Sequence, residues 1–182
     1  ENGLPPPRIV LALAPQHVRT GQADAAVAAL QSLADSGFTA VGVILADPVI
    51  SSLAGHAGYD GLVAAMSVQA YPCSHQENFH DFDFWIGEWD VHVASGALAG
   101  SNSIHSEERG CVLVERWRAA TGGTGMSINY FDVPTGQWVQ SWHAEGGTQI
   151  NIRGGVTDDG MLLVGEIHYV ANGATAQVRG LR

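Results

Sequence analysis

The first part of the chain carries apolar residues at the spacing of amphipathic helices. In GQADAAVAALQSLADSGF these residues recur every three or four positions, at Ala26, Val27, Leu30 and Leu33. Gly37 follows as a C-cap candidate, so the pattern predicts one helix that ends near it. A second helix is expected before it, with Pro7 in its first turn and Pro15 either kinking or ending it. A further short helix is predicted in ISSLAGHAGYDGLVAAM, with Asp47-Pro48 as its start signal.

After Tyr71-Pro72 the pattern changes to short runs of strand-forming residues separated by Gly, Asn, Asp and Pro. The eight runs are GEWDVHVAS, SNSIHSEER, CVLVERWRAA, GMSINYFDV, QWVQSWHAE, TQINIRGGV, GMLLVGEIHYV and ATAQVRGLR. Their connections are too short for the crossover helix of a parallel sheet, so they predict an antiparallel meander. An up-and-down barrel leaves such a meander without exposed edges. We therefore expect an α+β chain, helical over residues 1–70 and a β-barrel of eight strands over residues 71–182.

Composition and charge narrow the range of partners. The 182 residues are 46% hydrophobic and carry eight Lys and Arg against eighteen Asp and Glu, which gives a formal charge of −10. Such an acidic chain offers no positive surface for a phosphate backbone, so nucleic acid is not expected as a partner. No membrane span is expected either, because no apolar run approaches the roughly 20 residues that a bilayer requires. The start, ENGLPPPRIVLALAP, lacks the basic n-region of a retained signal peptide, and it is compatible with a signal that has been removed.

The two cysteines, Cys73 and Cys111, leave two interpretations open. They form a disulfide if the protein is exported, and they are two buried thiols if it is cytosolic. Neither has a second Cys or a His at a zinc-finger spacing, which disfavours a metal site.

The helical segment resembles one degenerate tetratricopeptide repeat. With Gly21 at the turn between the helices, the packing positions of such a repeat fall on Val10, Leu13, Ala14, His17, Ala26, Leu30 and Leu33. A single repeat cannot bury its own apolar face and has to stack on something. It is expected to be the last unit of a longer array or a helical cap on the second segment, and an unrelated helical hairpin is the alternative. The resemblance implies a protein partner for these helices.

Several ordered motifs run through the second segment. They are FDFWIGEWDV, the Gly-x-Asn-x-Ile pattern of residues 100–104, GCVLVERW, GMSINYFD, GQWVQSWH and GMLLVGE. Together they resemble a bacterial family of lipocalin-like, calycin-type barrel proteins whose function is not established. The resemblance covers about residues 71–182. Members usually continue with further strands, so either eight strands close the barrel or the chain is part of a longer one.

The resemblance assigns a role to the aromatic residues around the first strand. It implies that Gly87 turns the chain tightly into the barrel and that the indole of Trp89 plugs one end, with its N–H bonded to a partner. Phe82, Phe84 and Trp85 would cover the same end from outside.

The resemblance also bears on the cysteines. Because both positions recur in exported members, it favours a Cys73–Cys111 disulfide and a periplasmic or secreted protein.

Alternation along the strands groups the polar and aromatic candidates for a site. Glu115 and Trp117 share one face of their strand, as do Ser127 with Asn129 and Trp138 with Gln140 and Trp142. If these faces turn inward, they form a small-molecule pocket, whereas the opposite assignment fills the interior with Val112, Val114, Ile128 and Tyr130. The resemblance favours the first assignment. The predicted ligand-binding residues are Glu115, Trp117, Asn129, Gln140 and Trp142.

Glu115 also has a purely structural interpretation. It would then form an ion pair with Arg153 or a hydrogen bond with Asn129.

Metal, cofactor and catalytic signals are weak. His92, His105, His143 and His168 fall in different strands without a close ligand pair, so no metal or haem is predicted. No cofactor is predicted from other motifs, because the chain has no nucleophile elbow, phosphate loop or dinucleotide fingerprint, and GGTGMS is a hairpin turn by its setting.

The leading hypothesis is a non-enzymatic module that holds a small, partly apolar ligand and contacts a protein through its helices. The first alternative is an enzyme that uses the same pocket with Glu115 as acid or base. The second is a structural interaction module with a filled barrel.

Overall fold

The computed structural model describes residues 6–181 of the chain, with side chains for residues 6–180. Contacts divide the chain after Pro72 into two compact units. The first unit is helical and the second is an antiparallel sheet, so the protein combines α and β structure in separate segments.

The helical unit contains five helices among the described residues. They are α1 (Pro7–Arg19), α2 (Ala23–Asp35), α3 (Val41–Ala46), α4 (Pro48–Ser51) and α5 (Ala57–Ala70). Helix α1 begins at Pro7 as predicted, and it continues through the buried Pro15 to Arg19 rather than ending there. A proline inside a helix removes one backbone hydrogen bond, and here the remaining turns still form. None of the helices in the described residues has the length and apolarity that a membrane span requires.

The predicted helix over residues 50–66 is interrupted. Asp47 caps α4, because its Oδ1 accepts hydrogen bonds from the N–H groups of Val49 at 2.8 Å and Ile50 at 3.1 Å. The chain then turns through Gly55, whose φ of 92° suits glycine, before α5 begins. The start signal was therefore correct, but it belongs to a four-residue helix.

The hairpin of α1 and α2 turns at Gly21, where φ is 73°, as the sequence predicted. Five of its seven predicted packing residues are buried in one cluster: Val10, Ala14, Ala26, Leu30 and Leu33. Leu13 is 47% exposed, and His17 is partly exposed. The same cluster includes Ile50, Tyr59, Leu62 and Met66 of α4 and α5, so later helices of this unit cover the apolar face of the hairpin.

The second unit is an eight-stranded antiparallel sheet in which each strand pairs with the next one along the chain. The strands are β1 (Gly87–His92), β2 (Leu98–Glu107), β3 (Val112–Ala119), β4 (Thr124–Asp132), β5 (Gln137–Ala144), β6 (Thr148–Thr157), β7 (Gly160–Tyr169) and β8 (Ala174–Leu181). This confirms the predicted eight-stranded antiparallel meander. Hydrogen bonds between described residues do not close the sheet, since β1 pairs only with β2 and β8 only with β7.

One face of the sheet carries the core of this unit. Its buried cluster consists of Phe82, Trp85, Ile104, Leu113, Trp138, Ile152, Met161 and Leu163. On the opposite face, Ile128 and Tyr130 are exposed, while Val114 is buried. The sheet therefore turns its Glu115 face toward the core, and Ile128 and Tyr130 do not fill the interior.

The implied role of Trp89 as a buried plug is wrong. Its side chain is 44% exposed, although its N–H does donate to the carbonyl oxygen of Trp85 at 2.8 Å. Strand β1 lies at the edge of the sheet, where it pairs only with β2 among the described residues. Gly87 does enter the strand with a φ of 138°, a conformation that favours glycine.

The buried aromatic cluster is built from other residues. Phe82 is fully buried rather than outside, and its ring stacks on Trp85 at a centroid distance of 4.9 Å. It meets Trp138 edge to face at 5.5 Å, and Trp138 donates its indole N–H to the carbonyl of Asn78 at 3.2 Å. Phe84 is exposed. Of the three aromatic residues expected to cover this end, Phe82 and Trp85 are therefore buried in the core, whereas Phe84 is not.

A disulfide joins Cys73 to Cys111 and closes a loop with a sequence separation of 38 residues. It fastens the segment before β1 to the residue that precedes β3. In the same segment, the ring of His80 lies 2.7 Å from Oδ2 of Asp83. This hydrogen bond raises the pKa of His80 above its usual value of 6.5.

Candidate functional site

Glu115 lies at the centre of strand β3 and is 5% exposed. It faces Ile104 on β2 and Ser127 on β4, on the core side of the sheet. Its Oε1 accepts a hydrogen bond from Asn102 Nδ2 at 2.6 Å. Its Oε2 accepts from Ser127 Oγ at 2.6 Å and from Gln140 Nε2 at 3.1 Å. Side chains on three different strands therefore hold this carboxylate.

A second layer of hydrogen bonds supports the first. Ser127 Oγ accepts from Asn129 Nδ2 at 2.8 Å and from Gln140 Nε2 at 3.3 Å. Asn129 Nδ2 also donates to the carbonyl oxygen of Leu113 at 3.1 Å. Every member of this polar cluster is buried, so their positions depend on one another.

The partners of Glu115 are all neutral. No ion pair between described residues involves it, and neither of its two structural interpretations holds, because Arg153 forms no ion pair with it and Asn129 bonds to Ser127 and Leu113 instead. A buried carboxylate is costly unless it is paired or hydrogen-bonded. Here three hydrogen-bond donors, and no cation, offset that cost.

A cavity of about 590 Å³ borders this cluster. Its lining is mostly aromatic and apolar, and of the polar cluster it includes Asn102 and Glu115: Phe84, Trp85, Trp89, Asp90, Val91, Asn102, Glu115 and Trp117. Asp90 pairs with Ser101, so alternation places its side chain on the other face of β1 from Trp89. The volume falls in the range of small-molecule sites.

Two tryptophans lie over glycines of the preceding strand. A Cβ atom on Gly100 would come within 2.7 Å of the Trp117 ring, and one on Gly125 would collide with the ring of Trp142. Larger residues at these two positions would therefore displace the indoles. Trp117 consequently extends across β2 toward the edge of the sheet, where the cavity lies.

The structure brings some of the predicted site residues together and separates others. Glu115, Asn129 and Gln140 form one buried cluster, and Trp117 lines the cavity beside Glu115. Trp142 is half-buried on the same face but does not line this cavity.

Sequence reasoning missed Asn102, which lines the cavity and bonds to Glu115. Alternation within β2 groups Asn102 with Gly100 and Ile104, but its position opposite Trp117 depends on the register of β2 against β3, which the structure shows. It also missed Trp85 and Trp89 as cavity walls, since they were assigned only to the architecture, and it gave Val91 no role.

Two buried oxygens in the cluster have no hydrogen-bond partner among the described residues. They are Oδ1 of Asn102 and Oδ1 of Asn129. A buried carbonyl oxygen without a hydrogen-bond donor carries a desolvation cost, which a ligand that donates a hydrogen bond would offset. Asn102 is the one of the two that lines the cavity.

The histidines of the strands do not converge. No group of three metal-ligating side chains occurs within the described residues. His105 contacts Ser103 at 2.8 Å and His143 contacts Ser141 at 3.2 Å, on exposed positions of the sheet.

Neither models of protein families nor the sequences of curated proteins match this chain. The cavity and its buried carboxylate therefore provide the basis for a functional proposal.

Proposed function

We propose that the second unit is a binding module for a small, partly apolar molecule. The observation that carries this proposal is the cavity of about 590 Å³ with aromatic walls and the buried Glu115 at its side. Apolar walls supply affinity, and a few fixed polar groups supply orientation and selectivity. The hydrogen bonds from three neighbouring strands fix Glu115 in place, which is what selective recognition requires.

We further propose that the sheet coils into a lipocalin-like barrel of the bacterial family that its motifs resemble. The meander of eight strands and the burial of one continuous face support this proposal. A curved sheet brings the side chains of one face toward a common interior.

Two other functions are less well supported. A structural module with a filled interior does not explain why an open cavity lies beside a buried carboxylate. An enzyme is the second candidate, because Glu115 borders open volume, which acid or base chemistry requires. The enzyme would be favoured if the wild-type chain chemically converts a bound compound and the Glu115→Gln variant does not.

The binding proposal is tested with Nile red, a neutral apolar dye whose fluorescence rises in an apolar site. Val91 lines the cavity, so Val91→Trp places a large side chain in it. Val93 is exposed nearby without lining the cavity, and Val93→Trp is the matched control. We expect the control to bind the dye as the wild type does, and Val91→Trp to weaken binding by more than about tenfold, or about 1.4 kcal/mol. Equal binding by all three proteins, or no binding by any, would contradict the proposal.

For the helical unit, we propose that α1 and α2 form a tetratricopeptide-like pair that contacts a protein partner. The buried positions shared with such a repeat support the first part. The second part is supported by Ile9 and Leu13, which lie one turn apart on α1 and are both exposed. Replacing both with Ser should leave thermal unfolding nearly unchanged and weaken association with any partner identified for the full chain. Association that persists in the double variant would contradict this role for α1.

A further inference from the structure

The acceptor atoms at the cavity are not all in use. A carboxylate offers about four acceptor sites on its two oxygens. Oε2 of Glu115 accepts two hydrogen bonds, while Oε1 accepts one, from Asn102. The remaining site on Oε1 therefore lies next to Asn102, whose own Oδ1 has no partner among the described residues. Both residues line the cavity.

The charge around these acceptors has one sign. Among the described residues that line the cavity, Glu115 is the acidic residue on the face that borders it, since alternation places the Asp90 side chain on the other face of β1, and none is Arg or His. The whole chain carries a formal charge of −10, so its field adds to the same sign. An anionic ligand would face repulsion here, whereas a cation would supply the opposite charge that Glu115 lacks.

The walls suit a cation as well. Trp85, Trp89 and Trp117 line the cavity, and aromatic rings attract cations through their quadrupoles, tryptophan most strongly. They also provide apolar surface for a hydrocarbon body.

We propose that the cavity binds small organic cations, namely a primary ammonium group on an aromatic or branched apolar body. The ammonium donates to Oε1 of Glu115 and to Oδ1 of Asn102, and the body packs against the tryptophans. This inference rests on the proposed binding function and specifies its ligand class. A charge-assisted hydrogen bond is roughly twice as strong as a neutral one, so the ammonium is distinguished from an alcohol of the same shape.

The test compares three compounds of similar shape by isothermal titration calorimetry at pH 7: 2-phenylethylammonium, 2-phenylethanol and 3-phenylpropanoate. With the wild-type chain, we expect the ammonium to bind at least about tenfold more tightly than the alcohol, and the carboxylate to bind most weakly. This ranking is measured on the wild-type chain alone and so does not depend on whether a variant folds. Equal affinities for ammonium and alcohol would overturn the inference.

Two variants locate the effect. Glu115→Gln should remove the preference for ammonium, so that this variant binds 2-phenylethylammonium and 2-phenylethanol with affinities within about threefold of each other, because the ammonium no longer meets an opposite charge. Glu88→Gln is the control, since Glu88 is an exposed carboxylate on the edge strand β1 and does not line the cavity. An ammonium preference that survives Glu115→Gln would also overturn the inference.

The outcomes distinguish this inference from the proposed function. If 2-phenylethanol and Nile red bind in the cavity but the ammonium has no advantage, the binding function stands and the cationic ligand class is wrong. If none of the compounds binds, the binding function itself fails.

Discussion

Replacing Ser127 with Ala tests whether the polar cluster is as tightly coupled as its geometry implies. Ser127 is fully buried, and its hydroxyl donates to the Glu115 carboxylate at 2.6 Å. A hydrogen bond to a charged group contributes about 1.5–3 kcal/mol to stability. The two side chains that donate hydrogen bonds to Ser127 keep other acceptors in the variant, since Asn129 still donates to Leu113 and Gln140 still donates to Glu115. The expected loss for Ser127→Ala is therefore about 2 kcal/mol, close to the value of the single charged bond.

The assay is urea denaturation followed by tryptophan fluorescence. All five tryptophans lie between residues 85 and 142, so this signal reports on the sheet unit and not on the helices. Ser101→Ala is the matched control, because Ser101 is an exposed serine on strand β2 of the same sheet and should change stability by less than about 0.5 kcal/mol. A loss for Ser127→Ala no larger than that of the control would refute the coupling.

A double-mutant cycle adds a second condition. In a Glu115→Gln background the bond from Ser127 becomes neutral and is worth only about 0.5–1.5 kcal/mol. The cost of Ser127→Ala should therefore fall by about 1 kcal/mol in that background. Strict additivity would show that the hydroxyl does not act through the carboxylate.

Three further predictions concern the frame around the site. Removing the disulfide with Cys73→Ala and Cys111→Ala should cost about 4 kcal/mol, from the chain-entropy relation for a loop of 38 residues, and a loss under about 1 kcal/mol in the same urea assay would contradict it. Phe82→Ala should cost about 3–5 kcal/mol through cavity formation, since Phe82 is fully buried, and a loss at the level of a surface site would show that its ring is not packed. Because the folded pKa of His80 lies above its unfolded value of 6.5, its pair with Asp83 stabilises the fold fully only below that value, and the gain disappears as pH rises through the folded pKa. NMR titration of His80 should give a lower pKa in Asp83→Asn, and an unchanged pKa would exclude Asp83 as the cause.

The strands and their faces could be predicted because alternation is a local property. A strand with period two fixes which side chains share a face, so Glu115 was grouped with Trp117, Ser127 with Asn129, and Gln140 with Trp138 and Trp142, while the choice of the inward face came from the family resemblance. Short polar turns then fixed the order of the strands, since no connection could carry a crossover.

The remaining features depend on contacts that alternation does not specify. Trp89 has strand spacing whether or not anything covers it, and its exposure follows from the edge position of β1. The bond from Asn102 to Glu115 depends on the register of β2 against β3, which the sequence did not reveal. Helix α3 was not predicted, and α4 was merged with α5 into one longer predicted helix. A helix of four to six residues has too few turns to show a periodic pattern.

The central claim is that the cavity beside Glu115 is where a ligand binds, and the indole region of a ¹H–¹⁵N NMR spectrum tests this most directly. Each tryptophan gives one indole signal, and Trp89 and Trp117 line the cavity while Trp138 is 1% exposed in the core and does not line it. On titration with 2-phenylethylammonium, we predict saturable shifts of the Trp89 and Trp117 signals that disappear in Val91→Trp, with the Trp138 signal nearly unchanged. Saturable shifts that leave out Trp89 and Trp117, or no shifts at saturating concentration, would contradict the account.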